Sequence, residues 1–305
     1  MRTSIDIETL LTIMYVLVDD WYQAKGQKML KGKPGPKPTF SDSEVMSLVL
    51  AMDFIPFPGE TQFLGYIRAN HLALFPELLS QSQFNRRARS LRLLIEEMRR
   101  SWLQEMGIQA ERQFLLDTKP VPVVGYKRSK KHSDFAGSAE YGYCESRKLK
   151  YFGYKLVTLA TLDGMPVINE LVPANLDERE AAEAVLFNLF NCDIFADKGF
   201  IGEEWQAQIR DETGNRVWTV KRHNQYVQNP AAFDTLLSRV RERIEGVFHE
   251  IQNSGRNLER LRARTVIGLC TRVIAKLASH ALKFLLRRNF GIDVQSFTVP
   301  CGSAF

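Results

Sequence analysis

The sequence predicts a mixed α/β sheet flanked by helices and preceded by an all-helical N-terminal region. Two observations carry this. Apolar positions recur at helical spacing up to Gly107 and shift to short strand-like runs beyond it. After Gly107 the elements run strand, hairpin, helix, strand, helix, strand, helix, the order of a mixed sheet with helices against its faces. The expected division is a helical region over residues 1–108, a core over 109–290 and a C-terminal tail at 291–305.

In the N-terminal region, residues 5–24 carry helical spacing, and 25–38 (KGQKMLKGKPGPKP) form an expected basic linker rich in lysine and proline. Ser41 followed by Glu44 predicts a capping box and a helix to about Asp53. IPFPGE breaks that helix, TQFLGYIRANH predicts a third, and FPELL a short one. Ser82 is expected to cap one long helix, QFNRRARSLRLLIEEMRRSWLQEMG, ending near Gly107.

In the core, RQFLLDTKPVPVV (112–124) predicts a strand, and 151–174 a hairpin turning at Asp163-Gly164. Residues 176–190 predict a helix starting around Asp177, DIFADKGF a short strand, 202–213 a helix and NRVWTVKR a further strand. Two strong helices follow, at 233–252 and 265–288.

The chain has 305 residues, 45% hydrophobic and 25% charged, as folded proteins do. The net charge of +6 draws polyanions only modestly, so the placement of the charge matters more. The four cysteines form no C-x-x-C pair and no zinc-finger spacing, which predicts free thiols in a reducing compartment. MRTSIDIETLL lacks a signal-peptide layout and no long uncharged apolar run occurs, so a cytoplasmic location is expected.

Two carboxylates end apolar runs: Asp117 closes QFLL and Asp197 closes IFA. Adjacent strands would bring them together on a rigid frame. The helix RVRERIEGVFHE offers a third, with Glu245 beside the apolar Ile244 and Phe248. Singly, each has a plainer explanation: a turn residue for Asp197, a solvated helix residue for Glu245. Together they form an oxygen donor set suited to Mg²⁺ or Mn²⁺. Two such ions about 4 Å apart serve in-line phosphoryl transfer.

The basic residues cluster. Between Lys127 and Lys155 eight Lys/Arg stand against three Asp/Glu, with four tyrosines from Tyr126 to Tyr151. Lys127, Arg128, Lys130, Lys131 and Lys148 of this insertion (125–150) are candidate nucleic-acid contacts. FNRRARSLR adds Arg86, Arg87 and Arg89 on a helix that could enter a DNA groove, and Arg256 follows the last acidic helix.

These marks together (TFSDSEVMSLVLAM, FLGYIRANHLALFPELLSQSQFNRRARSL, LLDTKPVPV, YFGYKLV, IFADKGF and RVRERIEGVFHEI) resemble the DDE transposases of bacterial insertion sequences, specifically the IS982 group, over nearly the whole chain. The resemblance implies an RNase H-like catalytic core and divalent metal, with Asp117, Asp197 and Glu245 as the acidic triad. It also implies cleavage at element ends, joining of the freed 3′-hydroxyl to target DNA, and a homodimer or larger assembly on double-stranded DNA. Arg241 matches an arginine that related enzymes carry four residues before the glutamate. Gln252 and Ser238 depart from their lysine and tyrosine positions. Two other functions use the same residues: an RNase H-like nuclease without strand transfer, and an inactive transposase-derived DNA-binding protein.

Overall fold

The computed structural model describes residues 5–30, 38–55, 57, 59–126, 130–144, 148–221, 228–253 and 257–294. These divide into two compact units, one of residues 1–106 with 251–305 and one of residues 107–250. The final long helix therefore groups with the N-terminal helices, whereas the sequence pattern runs the core through residue 290.

The first unit is helical. α1 (Ile7–Trp21) starts at Asp6, whose side chain accepts from the Thr9 amide. The helical path then continues through a wider turn at Tyr22–Gly26 and a single turn α2 (Gln27–Met29). The expected linker thus begins later than Lys25: Lys25, Gln27, Lys28 and Met29 are good helix formers and extend α1. Residues 31–37 of that stretch lie outside the described residues.

α3 (Asp42–Ala51) opens on the expected capping box, Ser41 Oγ accepting from the Glu44 amide and Glu44 accepting from the Ser41 amide. α4 (Glu60–Asn70) follows, but FPELL forms turns and no helix. The expected single long helix is two, α5 (Gln81–Ser90) and α6 (Arg92–Glu105), meeting at Leu91. Its cap is Ser80 rather than Ser82, because Ser80 forms a complete capping box with Gln83.

α10 (Val266–Phe290) runs along α6 and α3. Its buried stripe includes Leu269, Val273, Leu277, Ala281, Leu282 and Leu285. Within this apolar contact Lys276 donates to Asp53 at 3.0 Å, and both side chains are at most 2% exposed. The charges lie far from water and their mutual attraction offsets the desolvation each incurs.

The second unit holds the sheet. β1 (Gln113–Val124) is central, antiparallel to β3 (Leu149–Thr161) on one side and parallel to β5 (Asp193–Ala196) on the other. β6 (Arg216–Thr219) pairs in parallel with β5. The far edge of β3 is shared by β2 (Glu140–Cys144) along its first half and β4 (Pro166–Pro173) along its second. β2 lies inside the basic insertion, where no strand was expected. The result is a mixed, helix-flanked, RNase H-like sheet in the order β4-β3-β1-β5-β6.

The β3–β4 hairpin turns where expected, with Gly164 at φ +98°, a conformation that other residues adopt only under strain. α7 (Glu178–Leu186), capped by Asp177, and α8 (Glu203–Thr213) supply Ala181, Val185, Leu186 and Ile209 to a core with Phe114, Leu116, Ile194 and Ala196. Asn215, fully buried, accepts from the Cys192 amide and donates to the carbonyls of Leu186 and Leu189. One amide side chain thereby ties the end of α7 to the start of β5.

α9 (Ala231–Asn253) is attached at both ends. Phe233 meets the Trp218 ring edge-on at 5.4 Å. Arg243 donates to the Asp163 carbonyl, and Val247 packs beside Gly164.

The buried pair predicts a large stability effect. Lys276→Met should lower stability by about 3–5 kcal/mol, because it removes the buried ammonium that faces the Asp53 carboxylate. Urea unfolding of the two proteins measures this.

Candidate active site

The register of β1 and β5 places Leu116 opposite Ala196. Asp117, still within β1, and Asp197, the first residue past β5, each directly follow that last pair. Asp197 keeps extended backbone (φ −74°, ψ 172°), so the alternation of sides continues through it. Phe114, Leu116, Ile194 and Ala196 face the core under α7 and α8. Asp117 consequently projects from the opposite face of β1, where its pairing with β5 ends, and Asp197 lies just past the carboxyl end of β5. Asp117 Oδ1 accepts from the Thr118 amide at 2.7 Å, and Asp197 accepts from the Lys198 amide. Each bond orients a carboxylate against its own strand end. Both side chains are partly exposed.

Glu245 is exposed on α9. The neighbouring attachments of α9, at Arg243 and Val247, contact the β3–β4 turn. That turn adjoins the amino end of β1, because Phe114 pairs with Thr161 while Asp117 pairs with Thr158. Among the described residues, no three His, Cys, Asp or Glu side chains form a group that could hold a metal ion. The adjacent aspartates have the donor chemistry that Mg²⁺ or Mn²⁺ takes. Glu245 does not join them in a three-acid cluster in this arrangement.

A further acid sits close to the pair. Glu178, the first residue of α7, accepts from Thr118 Oγ1 at 3.4 Å. A Cβ at Gly199 would stand 1.6 Å from Glu178 Oε2, so the absence of a side chain there seats the carboxylate. Gly199 does not have a positive φ. Its role is this close approach, whereas the sequence suggests a tight exit from the strand. Burial raises the Glu178 carboxyl above its ordinary range, Lys155 opposes that and Asp197 adds to it. Lys155 also donates to the Leu176 carbonyl, holding the approach to α7. The sequence starts the helix around Asp177 and passes over Glu178.

The basic candidates separate by what they touch. Arg87 is committed to the fold: it donates to the Phe40 carbonyl and pairs with Asp42 at 2.6 Å. Tyr22 donates to the same Asp42, and burial with that carboxylate lifts its phenol to about 12. Lys130 donates to the Gly125 and Tyr126 carbonyls and lies over the rings of Tyr126, Tyr141 and Phe152 at 5.3–5.6 Å. Arg86, Lys131 and Lys148 are exposed, and Arg89 is half-buried. Lys127, Arg128 and Arg256, and the side chain of Arg241, lie outside the described residues. Among the described residues no helix is long and apolar enough to cross a membrane.

Comparison with known proteins bears on the sheet unit most directly. No curated protein matches the chain. Among solved structures, a Mos1 transposase paired-end complex with the left transposon end is 15% identical, covering 75% of this chain and 85% of that one, at a TM-score of 0.23. A pre-cleavage Mos1 transpososome is 14% identical, covering 97% and 100%, at a TM-score of 0.19. The family model described as the transposase DDE domain matches residues 108–282, from just before β1 through most of α10. That match takes in both strand aspartates, Glu245 and more than half of the sequence, and on it the chain belongs to the transposase DDE-domain family.

Proposed function

We propose that this protein is a metal-dependent DNA transposase of the IS982 type, which cleaves DNA at insertion-sequence ends and joins the freed 3′-hydroxyl to target DNA. The supporting observation is the parallel pairing of β1 with β5, whose last pair, Leu116 with Ala196, immediately precedes Asp117 and Asp197 in the two chain segments. In this reading Asp117 and Asp197 hold Mg²⁺ or Mn²⁺, in one or two ions, and Glu245, which stands apart from them in this arrangement, completes the acid set when metal and DNA are bound. The bound cation neutralises charge developing on the phosphate and its leaving oxygen. The chain's own part is to present fixed carboxylates and to keep their spacing constant through cleavage and joining. Both reactions are in-line displacements at phosphorus, so one acidic site serves both.

The exposed cations Arg86, Lys131 and Lys148, with Arg89, are assigned to the DNA backbone, as are Lys127, Arg128, Arg241 and Arg256. Arg87 and Lys130 contribute by holding their surroundings. Two element ends must be brought together for transposition, so the working form is a homodimer or larger assembly on double-stranded DNA. The bacterial cytoplasm, at the nucleoid, is the corresponding location.

Asp197→Asn should reduce both end cleavage and strand joining by orders of magnitude while end binding persists. Retained cleavage by this variant on a labelled end duplex would remove Asp197 from the site. Hydrolysis without joined product in the wild type would point to a nuclease instead. Chelation with EDTA should abolish cleavage, and added Mg²⁺ or Mn²⁺ should restore it; activity that survives exhaustive chelation contradicts the metal requirement.

The arginines predict opposite behaviour. Arg86→Ala should weaken end binding, lower the salt dependence by about 0.9 in log–log slope for the lost phosphate contact, and leave stability unchanged. Arg87→Ala should lower stability by about 1.5–3 kcal/mol through its lost charged hydrogen bonds. Filter binding across a salt series and thermal unfolding distinguish the two.

A further inference from the structure

We propose that Glu178 is a positioning residue that locks the ends of β1 and β5 together and so sets the spacing of Asp117 and Asp197. This rests on the reading of those aspartates as the catalytic pair. One Glu178 oxygen accepts from Thr118 Oγ1, on the residue that also orients Asp117 through its amide. The other packs against Gly199, two residues after Asp197. A single carboxylate therefore reaches both chains just beyond the last ladder pair, Leu116 and Ala196. Past that pair the described ladder between the strands stops. Glu178 supplies a lateral link where the backbone no longer does.

The seat of this carboxylate is itself built. Lys155, on β3, lies near enough to oppose the effect of burial on Glu178 and fastens the Leu176 carbonyl just ahead of α7. Asp177 caps the helix, so Glu178 starts from a fixed backbone position. Three strands, β3, β1 and β5, thus converge on the first residue of α7. The Thr118 and Gly199 contacts lie on the flank of each aspartate, which is how a group shapes a site without touching substrate.

The glycine allows Glu178 to be moved without being changed. In Gly199→Ala the new methyl would overlap the carboxylate of a flexible side chain, so Glu178 is displaced and the strands remain. The test uses the full chain and compares wild type, Glu178→Ala, Glu178→Gln, Thr118→Val and Gly199→Ala. Readouts are Mn²⁺ affinity by electron paramagnetic resonance, end-DNA affinity, and the single-turnover rate of end cleavage.

Glu178→Ala and Gly199→Ala are expected to weaken Mn²⁺ binding roughly 10–100-fold and to slow cleavage on the order of 100-fold, with end-DNA affinity unchanged. Glu178→Gln keeps the acceptor for Thr118 and should remain close to wild type in both. Thr118→Val, which leaves α7 intact, should shift both in the direction of Glu178→Ala and covers the case in which that variant does not fold. Wild-type Mn²⁺ affinity and cleavage in Glu178→Ala or Gly199→Ala would overturn the proposal. So would a Glu178→Gln variant as defective as Glu178→Ala, which would make the charge itself the active feature. A wild type that neither binds Mn²⁺ nor cleaves ends would overturn the transposase reading, and this positioning role with it. An active wild type with unaffected variants removes the positioning role alone.

Discussion

The parallel pairing of β1 with β5 is the constraint on which the arrangement of acids depends. Only four residue pairs form it, from Gln113–Asp193 to Leu116–Ala196. Its register is held by apolar alternation: Phe114 and Leu116 on one strand and Ile194 and Ala196 on the other are buried in one core. A slip of one residue would send an entire strand's apolar set to the wrong face. The same slip would carry Asp197 away from Asp117. Burial of four hydrophobic side chains therefore sets the register at which the two aspartates follow the ladder. A substitution that loosens this core reaches the acids without touching them.

The two aspartates and Glu245 are held by different kinds of restraint. Asp117 rides on a strand paired on both sides, with β3 and with β5, and Asp197 directly follows β5, itself held between β1 and β6. Glu245 rides on a helix attached through Trp218 and Phe233 near its start and through Arg243 and Val247 beside the hairpin turn. Each of those contacts is a side-chain contact, and a ladder of backbone hydrogen bonds is stiffer than a few of them. The acids on strands and the acid on the helix belong to separately secured parts of one unit.

Features legible in the sequence are those fixed by neighbouring residues. The Ser41–Glu44 box, the Asp163-Gly164 turn and the start of α7 beside Asp177 each involve positions at most three apart, and each lies where expected. The two apolar runs ending in aspartate also read correctly, because a short run of period two is a local signal. The cap at Ser80 was equally available, since Gln83 stands three residues on, but Ser82 offered a rival start. The break at Leu91 and the strand β2 were not legible, being set by packing. Nor was the engagement of Arg87, whose partner Asp42 lies 45 residues away, or that of Glu178, whose partner Thr118 lies 60 away. A basic helix reads as a DNA-binding face until a distant carboxylate is seen to occupy one of its arginines.

The helical unit is assembled from two stretches, residues 1–106 and 251–305, that lie before and after the sheet unit in sequence. Lys276 and Asp53, whose buried pairing secures α10, are separated by 223 positions. On the ribosome, the sheet unit has all of its strands once residue 219 has emerged, and domains fold as units in order of synthesis. The N-terminal helices emerge before the sheet yet complete their unit after it, because α10 follows β6 in the chain. A nascent chain truncated before α10 would carry both strand aspartates on a finished sheet and leave Asp53 without its lysine. Synthesis of α10 is in this sense a checkpoint on the helical unit, imposed by chain order alone.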